Sequence, residues 1–436
     1  MEFIGENLKN TRVKKNYKLS YISKQLNVSN EILSLIEEDN FPDYLDSVYL
    51  IGHIRSYTRF LDLSEKEIIK IENPNGGDDT RGWGPPFAGE ESAYYLGVNR
   101  NKKSVAINLK EERGLEILGD LVSKSDVLIE NFKSGTMEKW GFTPEWFEAN
   151  APQVVHCSIT GYGDDGPKGG MPGYDFLLQA ESGLMSITGE EKGAPQKLGV
   201  AIVDVCTGQY AAISILAALR SVTETGRGQR VDVSLFNTSL TMLINVASSY
   251  LISGTSAKRF GNGHPTIVPY RDFPCSDGDI AVAVGNDGQF ERLSKVLGHP
   301  GWAQDPRFIR NQDRVNNRET CEKLIRDVLV NKTVSHWINE FEAEGIPCSK
   351  INAVEEALES EQASANNMVL NLDHPTAGSI KMMGIPYNFS ETPAGIREHP
   401  PLLGEHTHEV LDGVLGIGSE DIQTLEDNGV INKKSF

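Results

Sequence analysis

The chain has 436 residues, of which 39% are hydrophobic and 24% charged, and it carries a formal net charge of −19 at pH 7. This length predicts two or three domains, and the composition excludes a fibrous repeat or a disordered chain. The excess of carboxylates argues against nonspecific binding of the whole chain to nucleic acid or to an anionic membrane.

The cysteines and the hydropathy pattern bear on the compartment. The five cysteines are scattered and form no C-x-x-C pair, a pattern that is typical of a reducing cytosol and offers no metal cluster. No apolar run reaches about 18 residues, and the first residues lack the apolar segment of a signal peptide. We therefore expect a cytoplasmic protein without a membrane span and without a bound metal.

The first seventy or so residues have the pattern of short amphipathic helices. Ile4 and Leu8 predict a first helix that ends near Lys15, Ser20 is the predicted N-cap of a second helix, and Ser29 is that of a third. A longer apolar pattern follows at Tyr49, Ile54, Tyr57 and Leu61. Three short helices with a turn between the second and third predict a helix-turn-helix arrangement.

The charge of the third helix bears on what this module binds. A helix that reads DNA needs Lys and Arg for phosphates and guanine edges. The third helix here carries Glu31, Glu37, Glu38 and Asp39 and no basic residue. The sequence therefore argues against nucleic acid as a partner, and it favours a protein partner or no partner at all.

From residue 68 onward, short β-branched runs alternate with helical patterns. The predicted strands are 68–72, 104–109, 126–130, 153–159 and 199–204, and the predicted helices are 111–123, 144–149 and 207–219. Such alternation predicts parallel strands that are joined by right-handed helical crossovers.

Two short patterns resemble functional motifs but favour simpler interpretations. Residues 161–166 match G-x-G-x-x-G after a strand, yet they lead into Pro167 and further glycines instead of a helix, so we predict a loop. His406 and His408 have no carboxylate or cysteine at the spacing of a metal site, and they predict the start of a surface helix.

Several longer motifs point to one family. They are GDDTRGWGPPF at 77–87, NRNKKS at 99–104, ENF at 130–132, SITGYG at 158–163, GYD at 173–175, TGRGQ at 225–229 and PLLGEHT at 401–407. From residue 68 to the C-terminus the chain resembles the class III CoA-transferase family, which includes formyl-CoA and carnitine CoA-transferases. YY at 94–95 and IVPY at 267–270 resemble its succinate–hydroxymethylglutarate branch. Segments 5–8, 35–39 and 48–57 resemble the helix-turn-helix domain of RodZ-type cell-shape proteins.

These resemblances imply an architecture. Residues 1–67 would form the all-α helix-turn-helix bundle and 68–225 a Rossmann-like large domain with a parallel sheet. Residues 226–385 would form a smaller α/β domain with linkers, and 386–436 would return to the large domain. The resemblance also implies an interlocked homodimer.

One part of the family pattern has no match in the chain. The family begins with a strand, a glycine-bearing turn with a Gln-Ala-Gly-Pro-like run, and a helix. Of this region only the following strand is present, as 68–72 with Lys70-x-Glu72. The absent turn contributes to the CoA site in the family, and without its strand we expect open edges and exposed apolar surface on neighbouring strands.

The family motif places a nucleophile at Asp204, within IVDVCTG at 202–208. We expect Asp204 to lie between a strand end and a helix start, where the helix dipole favours the ionised carboxylate that attacks a thioester. Its position alone is more typical of an Asp that only caps a helix, and the surrounding family motif reverses that preference. One residue can do both.

The remaining site residues are also implied by motif position. The nucleotide would lie at Ile107, Asn108, Leu109 and Lys110; the pantetheine at Asn131, Phe132 and Lys133; a phosphate at Lys139, where an Arg is frequent; and the acyl group beside Tyr174 and Asp175. Arg259, His264 and Tyr270, near the glycine loop 261–263, are candidate contacts for an acyl carboxylate. For each lysine the alternative is a solvated surface charge.

The implied reaction moves CoA from an acyl-CoA, such as succinyl-CoA or a similar dicarboxylyl-CoA, to a carboxylic acid. CoA is then a substrate, and no permanently bound cofactor is implied. Two alternatives stay open at this point. One is an adaptor or regulator whose acyl-CoA-binding domain is catalytically impaired, and the other is an inactive fusion product.

Overall fold

The computed structural model describes residues 4–15, 17–26, 28–38, 40, 57, 67–392 and 394–432. It divides the chain into two compact units, each built from segments that are distant in sequence. Unit 1 comprises Met1–Ile107, Asn371–His408 and Asn432–Phe436, and unit 2 comprises Asn108–Leu370 and Glu409–Ile431. The domain boundaries at residues 67, 225 and 385 stay predictions.

Helices and parallel strands alternate through much of the described chain, which confirms the predicted α/β class. The helices are α1 (Ile4–Lys14), α2 (Leu19–Leu26), α3 (Asn30–Glu37), α4 (Ala93–Val98), α5 (Glu112–Ser123), α6 (Thr136–Lys139), α7 (Pro144–Asn150), α8 (Asp175–Glu181), α9 (Leu184–Ile187), α10 (Ile202–Thr225), α11 (Leu235–Thr241), α12 (Ile244–Ser253), α13 (Asp287–Val296), α14 (Asn311–Asn316), α15 (Arg318–Leu329), α16 (Val334–Ala343), α17 (Val354–Leu358), α18 (Glu361–Ala365), α19 (Thr407–Leu415) and α20 (Ser419–Asp427). The strands are β1 (Ile68–Glu72), β2 (Phe87–Ala88), β3 (Glu91–Ser92), β4 (Lys102–Ala106), β5 (Val127–Glu130), β6 (Val155–Thr160), β7 (Arg230–Ser234), β8 (Tyr270–Pro274), β9 (Asp279–Ala283), β10 (Cys348–Lys350), β11 (Val369–His374) and β12 (Gly378–Met383).

Two parallel sheets carry the α/β part of the fold. In unit 1, β1 pairs with β4 so that Ile68 lies opposite Lys102. In unit 2, β5, β6 and β7 form a three-stranded sheet in that order, and Val155 and Cys157 of β6 are buried together with Ala211 of α10. A helix therefore covers this sheet, as the crossover pattern predicts.

A separate antiparallel sheet, of order β10–β9–β8, has its own core in unit 2. Phe273 of β8 packs there with Phe290 of α13. The fully buried guanidinium of Arg314 donates hydrogen bonds to the Val268 carbonyl oxygen at 2.7 Å and to the Asp287 carboxylate at 2.8 Å. These bonds fix the backbone that leads into β8.

The strand predicted at 199–204 is wrong. Residues from Ile202 onward are helical, and Asp204 lies in the first turn of α10 instead of at a strand end. The β-branched run around Val203 suggested a strand. However, the segment continues into 24 residues of helix, and the Val203 N–H finds an acceptor on Asp175 at 2.8 Å. Helix propagation and this cap outweigh local β propensity.

The helix-turn-helix arrangement is confirmed over the described residues of the first segment. Ser29 caps α3 by accepting a hydrogen bond from the Ile32 N–H at 3.2 Å, as predicted. The prediction for Ser20 is wrong, because α2 begins one residue earlier, at Leu19, and Ser20 lies inside its first turn. The hydrophobic core of this bundle contains Leu8, Ile22, Val28, Leu33, Ile36 and Tyr57. The predictions at Asp39, Tyr49, Ile54 and Leu61 lie outside the described residues.

A buried carboxylate organises the segment after β1. Glu72 accepts hydrogen bonds from the Arg81 guanidinium at 2.8 and 2.9 Å, from Ser104 Oγ at 2.6 Å and from the Asp78 N–H at 3.0 Å. The Arg81 guanidinium also lies 3.8 Å from the centre of the Tyr95 ring. Burial alone would raise the pKa of Glu72, but the bonds from Arg81 and Ser104 outweigh it and hold that pKa below its usual value.

Each parallel sheet has two edge strands among the described residues, β1 and β4 in one sheet and β5 and β7 in the other. Ile68 of β1 is 53% exposed and Ile129 of β5 is 58% exposed, although parallel strands are usually covered on both faces. That these exposed positions result from the family's unmatched opening strand stays a prediction.

Unit 2 also exposes apolar helix surface. α10 is long and apolar enough to cross a membrane by length and composition, and α11 and α12, bent by 73° at their junction, meet the same criterion together. Ile213 and Leu216 of α10 are 63% and 64% exposed, and Ile252 of α12 is 87% exposed. Exposed apolar side chains of this kind are typical of a surface that contacts a partner or lipid.

Replacing Arg81 tests the cluster around Glu72. In Arg81→Met the carboxylate is left buried without its cation, so we expect the free energy of unfolding to fall by about 3–5 kcal/mol at neutral pH. Because the pKa of Glu72 is depressed in the folded protein, its contribution is present above the unfolded pKa and is lost as the pH falls through the folded pKa. The difference between wild type and variant should therefore narrow in acid, as measured by urea denaturation.

A matched control is Arg220→Met, which breaks the exposed pair with Glu224 at 2.9 Å and should change stability by less than about 1 kcal/mol. The double variant Glu72→Gln, Arg81→Met should recover part of the loss. Equal losses in Arg81→Met and Arg220→Met would show that the Glu72 cluster does not stabilise the fold.

Candidate active site

Asp204 lies at the amino-terminal end of α10, in the first turn of a helix that runs for 24 residues. The residue is exposed, and within the described part of the chain its carboxylate accepts no hydrogen bond. The first-turn N–H groups of a helix have no partner in the helix, and they give this end a partial positive charge. A carboxylate in this position is free to react with a ligand.

Asp175 provides the acceptor that the helix itself lacks. Its Oδ1 accepts a hydrogen bond from the Val203 N–H at 2.8 Å, and its Oδ2 accepts one from Gln179 Nε2 at 2.7 Å. Gln179 Oε1 in turn accepts a hydrogen bond from the Leu198 N–H at 2.9 Å. Asp175, predicted beside the acyl site, thus lies next to Asp204 and holds the start of its helix.

The electrostatics of Asp204 differ from the expectation. A helix amino terminus favours the ionised form, and we expected it to dominate. Instead, partial burial of the carboxyl group, and to a smaller extent the negative charge of Asp175, raise the pKa of Asp204 above its ordinary value. The expected direction was wrong because burial and a second carboxylate both oppose ionisation.

The segment predicted to line the pantetheine path follows β5. Phe132 donates its backbone N–H to Glu130 Oε2 at 2.7 Å, and its ring meets Trp140 edge-on at 5.0 Å. Burial raises the pKa of Glu130, but the neighbouring His156, whose Nε2 lies 3.4 Å from Glu130 Oε1, and Ser158 outweigh it and hold the pKa below its usual value. An ionised, buried Glu130 therefore fixes the turn that presents this segment.

The side chains of that segment face solvent. Asn131, Phe132 and Lys133 are all exposed, as is Lys139 at the last position of α6. Exposed lysines are available to phosphate, and they are equally typical of a solvated surface. Their binding role stays a prediction.

The four residues predicted at the nucleotide divide between the two units. Ile107 belongs to unit 1, where its side chain is buried and its N–H donates to the Glu72 carbonyl oxygen at 2.9 Å. Asn108, Leu109 and Lys110 belong to unit 2, where the Asn108 N–H donates to the Val430 carbonyl oxygen at 2.7 Å. Lys110 is exposed. The nucleotide role of these four residues stays a prediction.

The candidate acyl contacts have different surroundings in unit 2. The Arg259 guanidinium donates hydrogen bonds to the carbonyl oxygens of Ser186, Glu190 and Gly193, so it ties down the segment after α9. The rings of His264 and Tyr270 lie with their centres 5.4 Å apart. The backbone N–H of His264 donates a hydrogen bond to the Tyr270 carbonyl oxygen at 3.0 Å.

Burial lowers the pKa of His264, and the nearby charge of Arg318 lowers it further. The structure therefore joins His264 to Tyr270 and leaves Arg259 engaged with backbone. Contact of any of the three with an acyl carboxylate stays a prediction.

Sequence reasoning missed two supporting residues, Gln179 and Glu130. Gln179 stands four residues after Asp175, a spacing that places both side chains on one face of a helix, so the pair was visible in the sequence. Glu130 is part of the ENF motif, but its bond to the Phe132 N–H depends on the chain turning back after β5. No local pattern signals that turn.

Comparison with known proteins identifies the family. A model of CoA-transferase family III matches residues 67–407, and a model of a helix-turn-helix domain matches residues 7–68. The chain is 40% identical over 367 residues to succinyl-CoA:glutarate CoA-transferase of Homo sapiens, with 84% of each chain covered. It is 39% identical over 351 residues to succinate–glutarate CoA-transferase of Agrobacterium fabrum, covering 79% of this chain and 88% of the other.

Solved structures give the same result. A CAIB/BAIF family protein from Brucella suis superposes with a TM-score of 0.71 at 39% identity, covering 80% of this chain and 92% of that one. The chain therefore belongs to CoA-transferase family III, as an enzyme of that type with a helix-turn-helix domain at its amino-terminal end.

Proposed function

We propose that this enzyme transfers CoA from succinyl-CoA, or a similar dicarboxylyl-CoA, to a carboxylic acid through a covalent intermediate on Asp204. The observation that carries the proposal is the exposed Asp204 carboxylate, which accepts no hydrogen bond from the described residues and stands in the first turn of α10. The names of the human and Agrobacterium relatives support succinate and glutarate as the acid pair.

The reaction proceeds through two covalent intermediates on Asp204, a mixed anhydride and a CoA thioester. The ionised Asp204 attacks the thioester carbonyl carbon, the C–S bond breaks, and CoA leaves as a thiolate from a mixed anhydride. The thiolate then attacks the aspartyl carbonyl carbon and expels the donor acid as a carboxylate, which leaves an enzyme–CoA thioester. The acceptor carboxylate reverses both steps, so that acyl-CoA is released and Asp204 is regenerated.

Each attack produces an oxyanion that needs preorganised donors. Of the first-turn N–H groups of α10, those of Ile202, Val203 and Val205 already have acceptors, so the proposed donor is the N–H of Asp204 itself. Asp175 does not compete as a nucleophile in this scheme, because both of its oxygens already accept hydrogen bonds.

We further propose that the predicted contacts bind CoA as a substrate, with no permanently bound cofactor. Asn131, Phe132 and Lys133 would line the pantetheine, because Glu130 holds this turn in place. Lys139 and the segment 107–110 would contact the nucleotide and its phosphates, and Tyr174 would lie at the acyl group. His264 and Tyr270 are proposed for the distal carboxylate of the acyl chain, and Arg259 shapes that region through the backbone.

The exposed apolar surface of α10 and α12 supports a homodimer. Apolar area of this kind favours burial against a second copy, as in the interlocked dimers that the family resemblance implies. A cytoplasmic location is consistent with the five cysteines, all of which are free thiols. We propose a dimer interface, and not a bilayer, as the cover for these helices.

For the helix-turn-helix domain we propose a protein partner, as in the RodZ-type modules that it resembles. Glu31 on α3 and Glu38 at its C-cap would repel phosphate, and Glu37 is already paired with Arg12 at 2.6 Å. This charge pattern disfavours nucleic acid.

Replacing the nucleophile tests the central proposal. Wild-type protein with succinyl-CoA and glutarate should form glutaryl-CoA, and Asp204→Asn should lose at least about 1,000-fold in kcat because an amide cannot form the anhydride. Hydroxylamine should trap an Asp204 hydroxamate in the wild type, measured by peptide mass spectrometry. Asp120→Asn, an exposed Asp on α5, is the control and should keep full activity.

Equal turnover in wild type and Asp204→Asn would exclude Asp204 as the nucleophile. No turnover in correctly folded wild type would favour the alternatives, an adaptor with an impaired acyl-CoA-binding domain or an inactive fusion product.

The pH dependence of turnover should report the charge of Asp175. Because that charge helps to raise the pKa of Asp204, Asp175→Asn should lower it. The nucleophile must be ionised, so the acid limb of the kcat profile should move to lower pH in this variant. Glu181→Gln removes a charge from the same helix and should leave the limb in place. A limb that is identical in Asp175→Asn and wild type would contradict the coupling.

Sedimentation tests the dimer. The wild type should sediment at twice the 48.0 kDa of one chain, because the apolar faces of α10 and α12 are buried together. Leu216→Glu should shift the population to monomer, since it places a charge in that contact. Val330→Glu, an exposed apolar position elsewhere, is the control. A wild-type mass equal to one chain would contradict the proposal.

A further inference from the structure

Gln179 is a buried polar side chain without a role in the reaction described above. It lies on α8 and is only 2% exposed. A buried amide is retained only where its donor and acceptor are both satisfied, because an unpaired polar group in the interior is costly. Its partners therefore indicate what it does.

Those partners lie on both sides of the entry to α10. Gln179 Oε1 accepts a hydrogen bond from the Leu198 N–H at 2.9 Å, which anchors the loop before the helix. Gln179 Nε2 donates to Asp175 Oδ2 at 2.7 Å, while Asp175 Oδ1 accepts the Val203 N–H at 2.8 Å, which anchors the first turn. Two backbone points, five residues apart, are thus held from one helix, and Asp204 directly follows the second.

The same bonds give the two neighbouring carboxylates different chemistry. Both oxygens of Asp175 are occupied, and Gln179 occupies one of them. Asp204 accepts no hydrogen bond from the described residues. Two adjacent acids whose surroundings differ in this way take different roles, one structural and one reactive.

We propose that Gln179 is a positioning residue for the nucleophile, fixing the start of α10 and keeping Asp175 as a helix cap so that Asp204 alone reacts. This inference rests on the proposed function of Asp204. Gln179 acts through Asp175 and the backbone, and it does not touch the reacting atoms.

The chemistry of position 179 is restrictive. The side chain must donate to a carboxylate and accept from a backbone N–H at the same time, which an amide does and neither a carboxylate nor a thioether does. Glu at this position keeps the acceptor for Leu198 but faces Asp175 with a second negative charge. Met has a similar length and offers neither bond. These two variants separate charge from positioning.

The experiment compares Gln179→Met and Gln179→Glu with wild type in kcat, KM, pH profile and hydrogen exchange of the peptide 198–204. For Gln179→Met we expect kcat to fall roughly 10- to 100-fold with KM for the acyl-CoA little changed, because the nucleophile is misplaced and binding is not. Exchange in 198–204 should become faster. In Gln179→Glu the added charge should also move the acid limb to higher pH.

A matched control exists on α20, where Gln423 donates to Asp427 at 3.4 Å with the same four-residue spacing. Gln423→Met and Gln423→Glu should leave kcat, pH profile and the 198–204 peptide unchanged. Thermal unfolding of all variants identifies any loss of fold, and Gln179→Glu, which keeps volume and one bond, remains informative if Gln179→Met does not fold.

The outcomes separate this inference from the proposed function. If both Gln179 variants have the kcat, the pH profile and the hydrogen exchange of the wild type, the positioning role is overturned, even when Asp204→Asn is inactive. Full activity in Asp204→Asn would instead overturn the nucleophile itself. If the wild type has no turnover, hydrogen exchange still tests whether Gln179 anchors the start of α10. Unchanged protection of the peptide 198–204 in Gln179→Met would show that it does not.

Discussion

The hydrogen bond from the Val203 N–H to the Asp175 carboxylate is the interaction on which the site depends. It caps the first turn of a 24-residue helix, and it brings a second negative charge beside Asp204, the proposed nucleophile. The same contact therefore positions Asp204, and the charge of Asp175 adds to partial burial in raising the pKa of Asp204. A helix dipole favours ionisation, whereas partial burial and a neighbouring carboxylate oppose it.

The segment that follows β1 is also organised by a carboxylate, that of Glu72. Glu72 is buried, and it is stabilised only because Arg81, Ser104 and the Asp78 backbone all donate to it. Among the described residues, the donors to Glu72 in this polar cluster all lie after β1 in the chain. The fold of the enzyme part can thus retain its local geometry at β1 although the strand's other edge is open among the described residues.

Much of this could be predicted from the sequence, and the failures have physical causes. Periodicity located β1, β5 and β6 and the helices between them, because strands and helices that alternate have clear apolar repeats. It failed at 199–204, since the decision between strand and helix there is made by Asp175, which is distant in sequence. The direction of the Asp204 pKa was missed because its larger cause, burial, and the charge of Asp175 both depend on the tertiary fold. Gln179 was within reach of sequence reasoning, whereas the turn held by Glu130 was not.

The discontinuity of unit 1 has a consequence for how the chain is made. Arg81 and Tyr95 both donate to the carbonyl oxygen of Pro401, and the Ala106 N–H donates to Thr407 Oγ1. These partners leave the ribosome only after all of residues 108–370 have been synthesised. Unit 2 can therefore begin to form its core while β1 and β4 still lack their carboxy-terminal partners. During that interval Arg81, Tyr95 and Ala106 lack these hydrogen-bond partners.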